Sequence, residues 1–181
     1  MTPEEALAVF LRELDAEFPG FRLVDKEHDP LSRAIDRALR ILTLGGQDRY
    51  LSHYHTVIGH RLYVPRSWAE TPAVQKLITL RHERVHLRQR RRLTFLGLAL
   101  IYLLLPFPVG LAYGRARLEW EAYTETLRAT LELEGEEALR DPGLRERIVT
   151  QFTGPAYLWM WPFRRQVEAW YDAELQRLLS S

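Results

Sequence analysis

The 181-residue chain contains no cysteine, and that absence removes three kinds of chemistry. No disulfide can staple the fold, no thiolate can hold a metal, and no cysteine can attack a substrate. Internal repeats and low-complexity linkers are also missing, so a solenoid or a tethered array is excluded. Charge of one sign does not dominate: the net charge is +1, which argues against a chain-wide polyanion binder. Histidine is scarce as well. There are six, and none follows His86, so a downstream metal ligand cannot be an imidazole.

Apolar and aromatic residues are plentiful: 46% of the chain is hydrophobic, with five Trp, eight Tyr and seven Phe. That is enough for a buried core, and the length suits one domain spanning 1–181. The opening "MTPEEALAVFLREL" reads as an amphipathic helix over about 3–17 and not as a secretory leader. Thr2, Pro3 and Glu5 supply its N-cap, first-turn proline and capping-box glutamate. With no cysteine, a cytoplasmic location is expected, and membrane association is the alternative.

A second helix is expected from Asp29-Pro30, with Leu31, Ile35, Leu39 and Leu42 at helical spacing, ending at Gly45-Gly46. "YHTVIGHRLYVP" (54–65) is rich in β-branched and aromatic residues, and forms either a hairpin turning at Gly59-His60 or one bulged strand. Thr71-Pro72 opens the next helix. Further helices are expected over 113–135, over "DPGLRERIVTQF", and at the C-terminus. The fold class is therefore α+β, mostly helical, with a small β element preceding the helix that opens at Thr71-Pro72.

That helix carries "LRHERVHLRQRRR" (80–92), which holds six arginines and the pattern His82-Glu83-Arg84-Val85-His86. Residues i and i+4 share one helix face, so both imidazoles can reach one Zn²⁺ while Glu83 reaches a water beside it. Zinc lowers the pKa of such a water to about 7, and Glu83 takes its proton as it attacks a carbonyl. Arg84 and Arg88 lie four apart and can share a solvent-facing edge. A catalytic zinc needs a third protein ligand and an open position. Position 92 is Arg, so the third ligand must be a carboxylate, and "RARLEWEAY" offers Glu119 and Glu121. At about 100° per residue, Ala116, Trp120, Tyr123, Leu127 and Leu131 make the apolar stripe of this helix. Glu119 sits at its edge and Glu121 on the far side with Arg117, Glu125, Arg128 and Glu132. The expected metal ligands are thus His82, His86 and Glu119. Pairing of Glu119 with Arg115 is the competing use of that carboxylate.

His-Glu-x-x-His followed by a helical glutamate resembles the gluzincin peptidases. "E-W-E-A-Y" (119–123) resembles the E-x-x-A-D element of the CAAX prenyl protease and membrane heat-shock protease families, and "TVIGHRLYVP" looks like the cleft strand of small soluble gluzincins. In that comparison Glu119 takes the place of the zinc-binding glutamate and Ala122 that of the alanine, whereas Tyr123 stands where the families have aspartate. The likeness covers roughly 54–130. It implies a zincin-like fold, a Zn²⁺ cofactor and a peptide or protein substrate.

Leu93–Tyr113 is a run of 21 residues without a charge, interrupted by Pro106, Pro108 and Gly110. The breaks favour a buried helix over a bilayer span, though flanking arginines could face anionic headgroups, so a membrane surface is the alternative partner. One bilayer crossing would separate His86 from Glu119 by about 30 Å, too far to share a metal. A symmetric helical hairpin folding at Pro106 would miss by nine residues, about 13 Å. The motif helix is therefore expected to bend or end between Arg90 and Gly97, with 94–105 a separate piece.

Oxyanion donors remain open among His53, His55, His60, Tyr54, Tyr63, Tyr123 and Tyr157. The aromatic group Tyr157, Trp159, Trp161, Phe163 and Trp170 is expected in the core. The arginine cluster could meet phosphates, but proteases of DNA–protein crosslinks use a third histidine that this chain lacks, so nucleic acid is not expected. The alternative to a zinc peptidase with Glu83 as general base is a non-catalytic zincin-like binding module.

Overall fold

The computed structural model describes residues 1–26, 56–58, 60–103, 113–154 and 160–180, with backbone alone for 56–58 and 94–103. The helix expected over 29–46 and the donors His53, Tyr54, His55 and Tyr157 lie outside the described residues. Among the described residues the architecture is mostly helical with one small sheet, an α+β arrangement. The chain divides into two compact units, Met1–Leu77 and Ile78–Ser181.

The first unit opens with α1 (Pro3–Glu17). Its start follows from local chemistry: the Thr2 hydroxyl accepts from the Glu5 backbone N–H, and the Glu5 carboxylate accepts from the Thr2 N–H. Those bonds satisfy donors that have no partner inside the helix. Strand β1 (Arg22–Asp25) follows, then β2 (Thr56–Ile58) and β3 (Arg61–Val64). The sheet order is β1-β3-β2. β2 and β3 are antiparallel, and Ile58 pairs with Arg61, so two positions separate the strands. Thr56–Ile58 and Arg61–Val64 thus pair as the two strands of a hairpin and do not run on as one bulged strand. β1 runs parallel to β3, from Arg22 opposite Arg61 to Asp25 opposite Val64. Its four residues show no alternation of burial, which left no period for sequence reasoning to detect. Leu14, Phe18, Leu62, Tyr63 and Val64 are buried in this unit. The His60 ring meets Phe18 edge-on, and its Nδ1 lies 3.0 Å from the Pro19 carbonyl.

A 3₁₀ turn (Arg66–Trp68) precedes α2 (Ala73–Leu103), which starts in the first unit and carries the His-Glu-x-x-His pattern in the second. The second unit continues with α3 (Tyr113–Glu134), α4 (Glu136–Leu139), α5 (Pro142–Thr153) and α6 (Arg164–Leu179). α3 ends at Gly135, whose φ of 89° is one that L side chains rarely adopt. α5 begins at Asp141, whose carboxylate accepts from the Gly143 and Leu144 N–H groups, with Pro142 at the first helical position. Ala116, Leu127, Leu139, Val149, Phe152, Val167 and Tyr171 form the centre of this unit's core. Trp120 stacks on Trp170 with ring centroids 5.5 Å apart, and Phe152 packs against both. Trp161 and Trp170 join the core as expected, while Phe163 is 47% exposed; Trp159 lies outside the described residues.

One expectation is corrected. α2 does not end between Arg90 and Gly97: it is helical without a break from Ala73 to Leu103, so 94–103 is no separate piece. The expectation assumed a symmetric hairpin. Nine residues separate Leu103 from Tyr113, and their contour length of about 30 Å can absorb an offset of about 13 Å between two helices. No helix among the described residues is long and apolar enough to cross a membrane.

Candidate metal centre

The candidate centre lies wholly in the second unit, between two turns of α2 and three turns of α3. His82 and His86 are one helical turn apart, and their ring centroids are 4.9 Å apart. The two Nε2 atoms approach to 3.1 Å. Glu119, on α3, presents Oε2 at 3.6 Å from His86 Nε2 and 4.0 Å from His82 Nε2. One ligand atom from each of the three lies within 4.8 Å of the others. Around a tetrahedral ion with bonds of about 2.0–2.1 Å, two donor atoms stand about 3.3 Å apart. The imidazole pair already has close to that spacing, and Glu119, at 3.6 and 4.0 Å, would reach it with a shift of roughly half an ångström. Two imidazoles and one carboxylate form a donor set suited to borderline transition metals, not to calcium or magnesium.

Helical phase explains why Glu119 and not Glu121 arrives. Glu119 is buried, with 8% of its side chain exposed, whereas Glu121 is 44% exposed and turns to Arg92 at 3.7 Å. Successive turns of α3 bring Tyr123 and Thr126 onto the same side as Glu119. The Tyr123 ring meets the His82 ring at 4.8 Å and Phe152 at 5.4 Å, so it joins the polar centre to the apolar core. Of the candidate oxyanion donors, Tyr123 is packed against a site imidazole, while His60 and Tyr63 belong to the first unit.

Electrostatics at the centre favour a positive charge. Burial by itself would lower the His86 pKa. The Glu119 carboxylate outweighs burial by its hydrogen bond and charge, with further help from the Glu83 charge and Gln89, so His86 is pushed up to about 9. Burial would raise the Glu119 pKa, but the imidazoles of His86 and His82, with a smaller contribution from Arg115, hold it below the usual carboxylate value. The Arg115 charge thus acts on Glu119 alongside the histidines, which remain the larger influence. Glu83 is itself buried, at 9% exposure, with its charge within electrostatic reach of His86.

Two residues escaped sequence reasoning. The Thr126 hydroxyl is 2.9 Å from His82 Nδ1, and Gln89 Oε1 is 3.0 Å from His86 Nδ1. Their signal was present as spacing: Gln89 stands three after His86 and Thr126 seven after Glu119, each on the face of the ligand it follows. Arg81 does more than join the arginine cluster. It reaches across to α3, pairing with Glu125 at 2.6 Å and with Glu132. Arg128 joins Glu125 at 2.7 Å, so Glu125 is tied into the helix pair and not simply solvated.

Compared with known proteins, the chain matches no family model, no curated protein and no solved structure.

Proposed function

We propose that this protein is a zinc metallopeptidase of the gluzincin type, with His82, His86 and Glu119 as metal ligands and Glu83 as general base. The observation that carries the reading is the meeting of the three ligand side chains, two from a His-Glu-x-x-His on α2 and one from α3, beside a buried glutamate. A zincin-like fold belongs to the same proposal. It is supported by the order of elements along the chain, a small sheet before the motif helix and the carboxylate helix after it. A chain without cysteine suits a reducing compartment such as the cytoplasm.

When bound, zinc supplies the Lewis acidity that lowers the pKa of water to about 7 and polarises a carbonyl. The rest of the chemistry falls to the chain. Glu83 follows His82 directly and is buried with its charge felt by His86, and we assign it the role of general base. It takes the proton of the attacking water and returns it to the leaving amine as the peptide bond breaks. Glu119, whose pKa lies below the usual carboxylate value, offers an ionised carboxylate oxygen that would serve as the third ligand.

The test is metal content together with cleavage of an unstructured protein substrate. Wild type should purify with one zinc per chain and cleave. Glu83→Gln should keep the zinc and lose activity by about 10²- to 10⁴-fold. His82→Ala should lose the zinc. Equal cleavage by both variants and wild type would remove the peptidase reading.

A further inference from the structure

We propose that Thr126 and Gln89 are positioning residues that hold both imidazoles in the one tautomer able to bind a metal at Nε2. The proposal rests on the metal-site reading above and extends it to the residues behind the ligands.

A neutral imidazole carries one N–H, and whichever nitrogen holds it cannot be a ligand. The proton's place is set by what each ring's far nitrogen faces. Behind His82, the Thr126 hydroxyl lies 3.3 Å from the Ala122 carbonyl one helical turn back, and it donates there. Its hydrogen is thereby committed, and the oxygen accepts from His82 Nδ1–H at 2.9 Å. Behind His86, Gln89 is buried and its amide can be oriented by its own contacts. The nitrogen lies 2.9 Å from the Leu118 carbonyl and 2.9 Å from Glu121 Oε2, two groups that can only accept. Turning the amide over would set its oxygen against both acceptors. Nε2 is therefore the double donor, and Oε1 accepts from His86 Nδ1–H at 3.0 Å. With a proton held at Nδ1 of each ring, Nε2 is the nitrogen left for a metal on both, and the two Nε2 atoms are 3.1 Å apart beside Glu119.

The arrangement also explains why a carboxylate that is not a ligand matters. Glu121 and the Leu118 carbonyl flank Glu119 along α3, so the helix that brings the third ligand also fixes the orientation of the second. Acceptors behind metal-ligating histidines set tautomer and ring angle, and their loss costs about 10- to 100-fold in metal affinity. In sequence terms, the site then reads as His-Glu-x-x-His-x-x-Gln on α2 and Glu followed seven residues later by Thr on α3.

The test is zinc titration of the full chain against a chromophoric chelator, with ¹⁵N and ¹³C spectra of the metal-free His82 ring. Thr126→Val keeps the shape and removes the acceptor, Thr126→Ser keeps the acceptor, and Gln89→Met removes the amide. Zinc affinity should fall about 10- to 100-fold in Thr126→Val and Gln89→Met and change by less than about threefold in Thr126→Ser. Metal-free His82 should be the Nδ1–H tautomer in wild type and Thr126→Ser, and shift toward Nε2–H in Thr126→Val. Wild type binding zinc with Thr126→Val and Gln89→Met binding it equally well overturns the positioning role alone. So does a loss of affinity in Thr126→Ser as large as in Thr126→Val. Wild type binding no zinc while the His82 tautomer still switches in Thr126→Val sinks the metal reading and leaves the hydrogen-bond assignment standing.

Discussion

The two long sides of α3 are buried for opposite reasons. One side, with Ala116, Trp120, Leu127 and Leu131, packs into the apolar core of α5 and α6. The other, with Glu119 and Thr126, meets α2 through polar atoms, and Tyr123 lies on the border between the two. Burying the first side is favourable on area alone, at roughly 25 cal/mol per Å². Burying the second costs free energy unless every polar atom finds a partner. Glu119 against two imidazoles, Thr126 and Gln89 behind them, and Arg81 bound to Glu125 and Glu132 supply those partners. A helix that needed only to fold could have used leucines on both sides. The polar side marks where the fold accepts a cost for chemistry.

Substitutions can break this comparison, beginning with the largest effect. Phe152→Ala removes the ring that packs on Trp120, Tyr123 and Trp170, and should lower unfolding free energy by about 3–5 kcal/mol. Chemical denaturation measures this, and zinc affinity of the folded variant should stay within a few-fold of wild type. Glu119→Gln should do the reverse: it keeps the volume but removes a charged ligand and weakens zinc by about 100-fold or more, read by chelator competition. If Glu119→Gln holds zinc as wild type does, the polar side of α3 is not a metal site.

Solution pH sharpens the same contrast in the metal-free protein. His86 has a folded pKa of about 9 against an ordinary 6.5, so its contribution is fully present below pH 6.5 and lost as pH rises through about 9. Glu119 has a folded pKa below the ordinary 4.5, so its contribution is present above pH 4.5 and lost as pH falls through the lower value. Metal-free stability should therefore be greatest between about pH 5 and 7, with a loss on the order of 1–3 kcal/mol by pH 10 that His86→Gln abolishes. Urea unfolding across that range measures it. The smallest effect is expected at Glu121→Gln. This half-exposed residue can still accept from Gln89 through its amide oxygen, so stability should change by no more than about 0.5 kcal/mol. A large loss of zinc there would promote Glu121 to a ligand and undo the distinction between the two carboxylates.

Much of the frame was legible in local patterns. The capping box at Thr2 and Glu5, the stop at Gly135 and the Asp141-Pro142 start each depend on residues within one turn. The helical phase that separates Glu119 from Glu121 is a property of α3 alone. β1 was not legible, because four residues without alternation acquire strand geometry only by pairing with β3. The unbroken run of α2 to Leu103 was not legible, because the offset between α2 and α3 is set by packing between the two helices.

The amino-acid sequence by itself determined which side chains share a helix face: His82 with His86, Glu119 with Thr126 seven residues on, and beside them the apolar stripe of Ala116, Trp120, Tyr123, Leu127 and Leu131. These follow from 3.6 residues per turn and need no neighbour. Only the tertiary structure decided the register of α2 against α3. That register sets Glu119 level with the imidazoles, gives Gln89 the Leu118 carbonyl to hold, and turns Arg81 from a solvent-facing charge into a tie between helices. Register depends on the connection and on packing summed over whole helix faces, and no single stretch of sequence carries that sum.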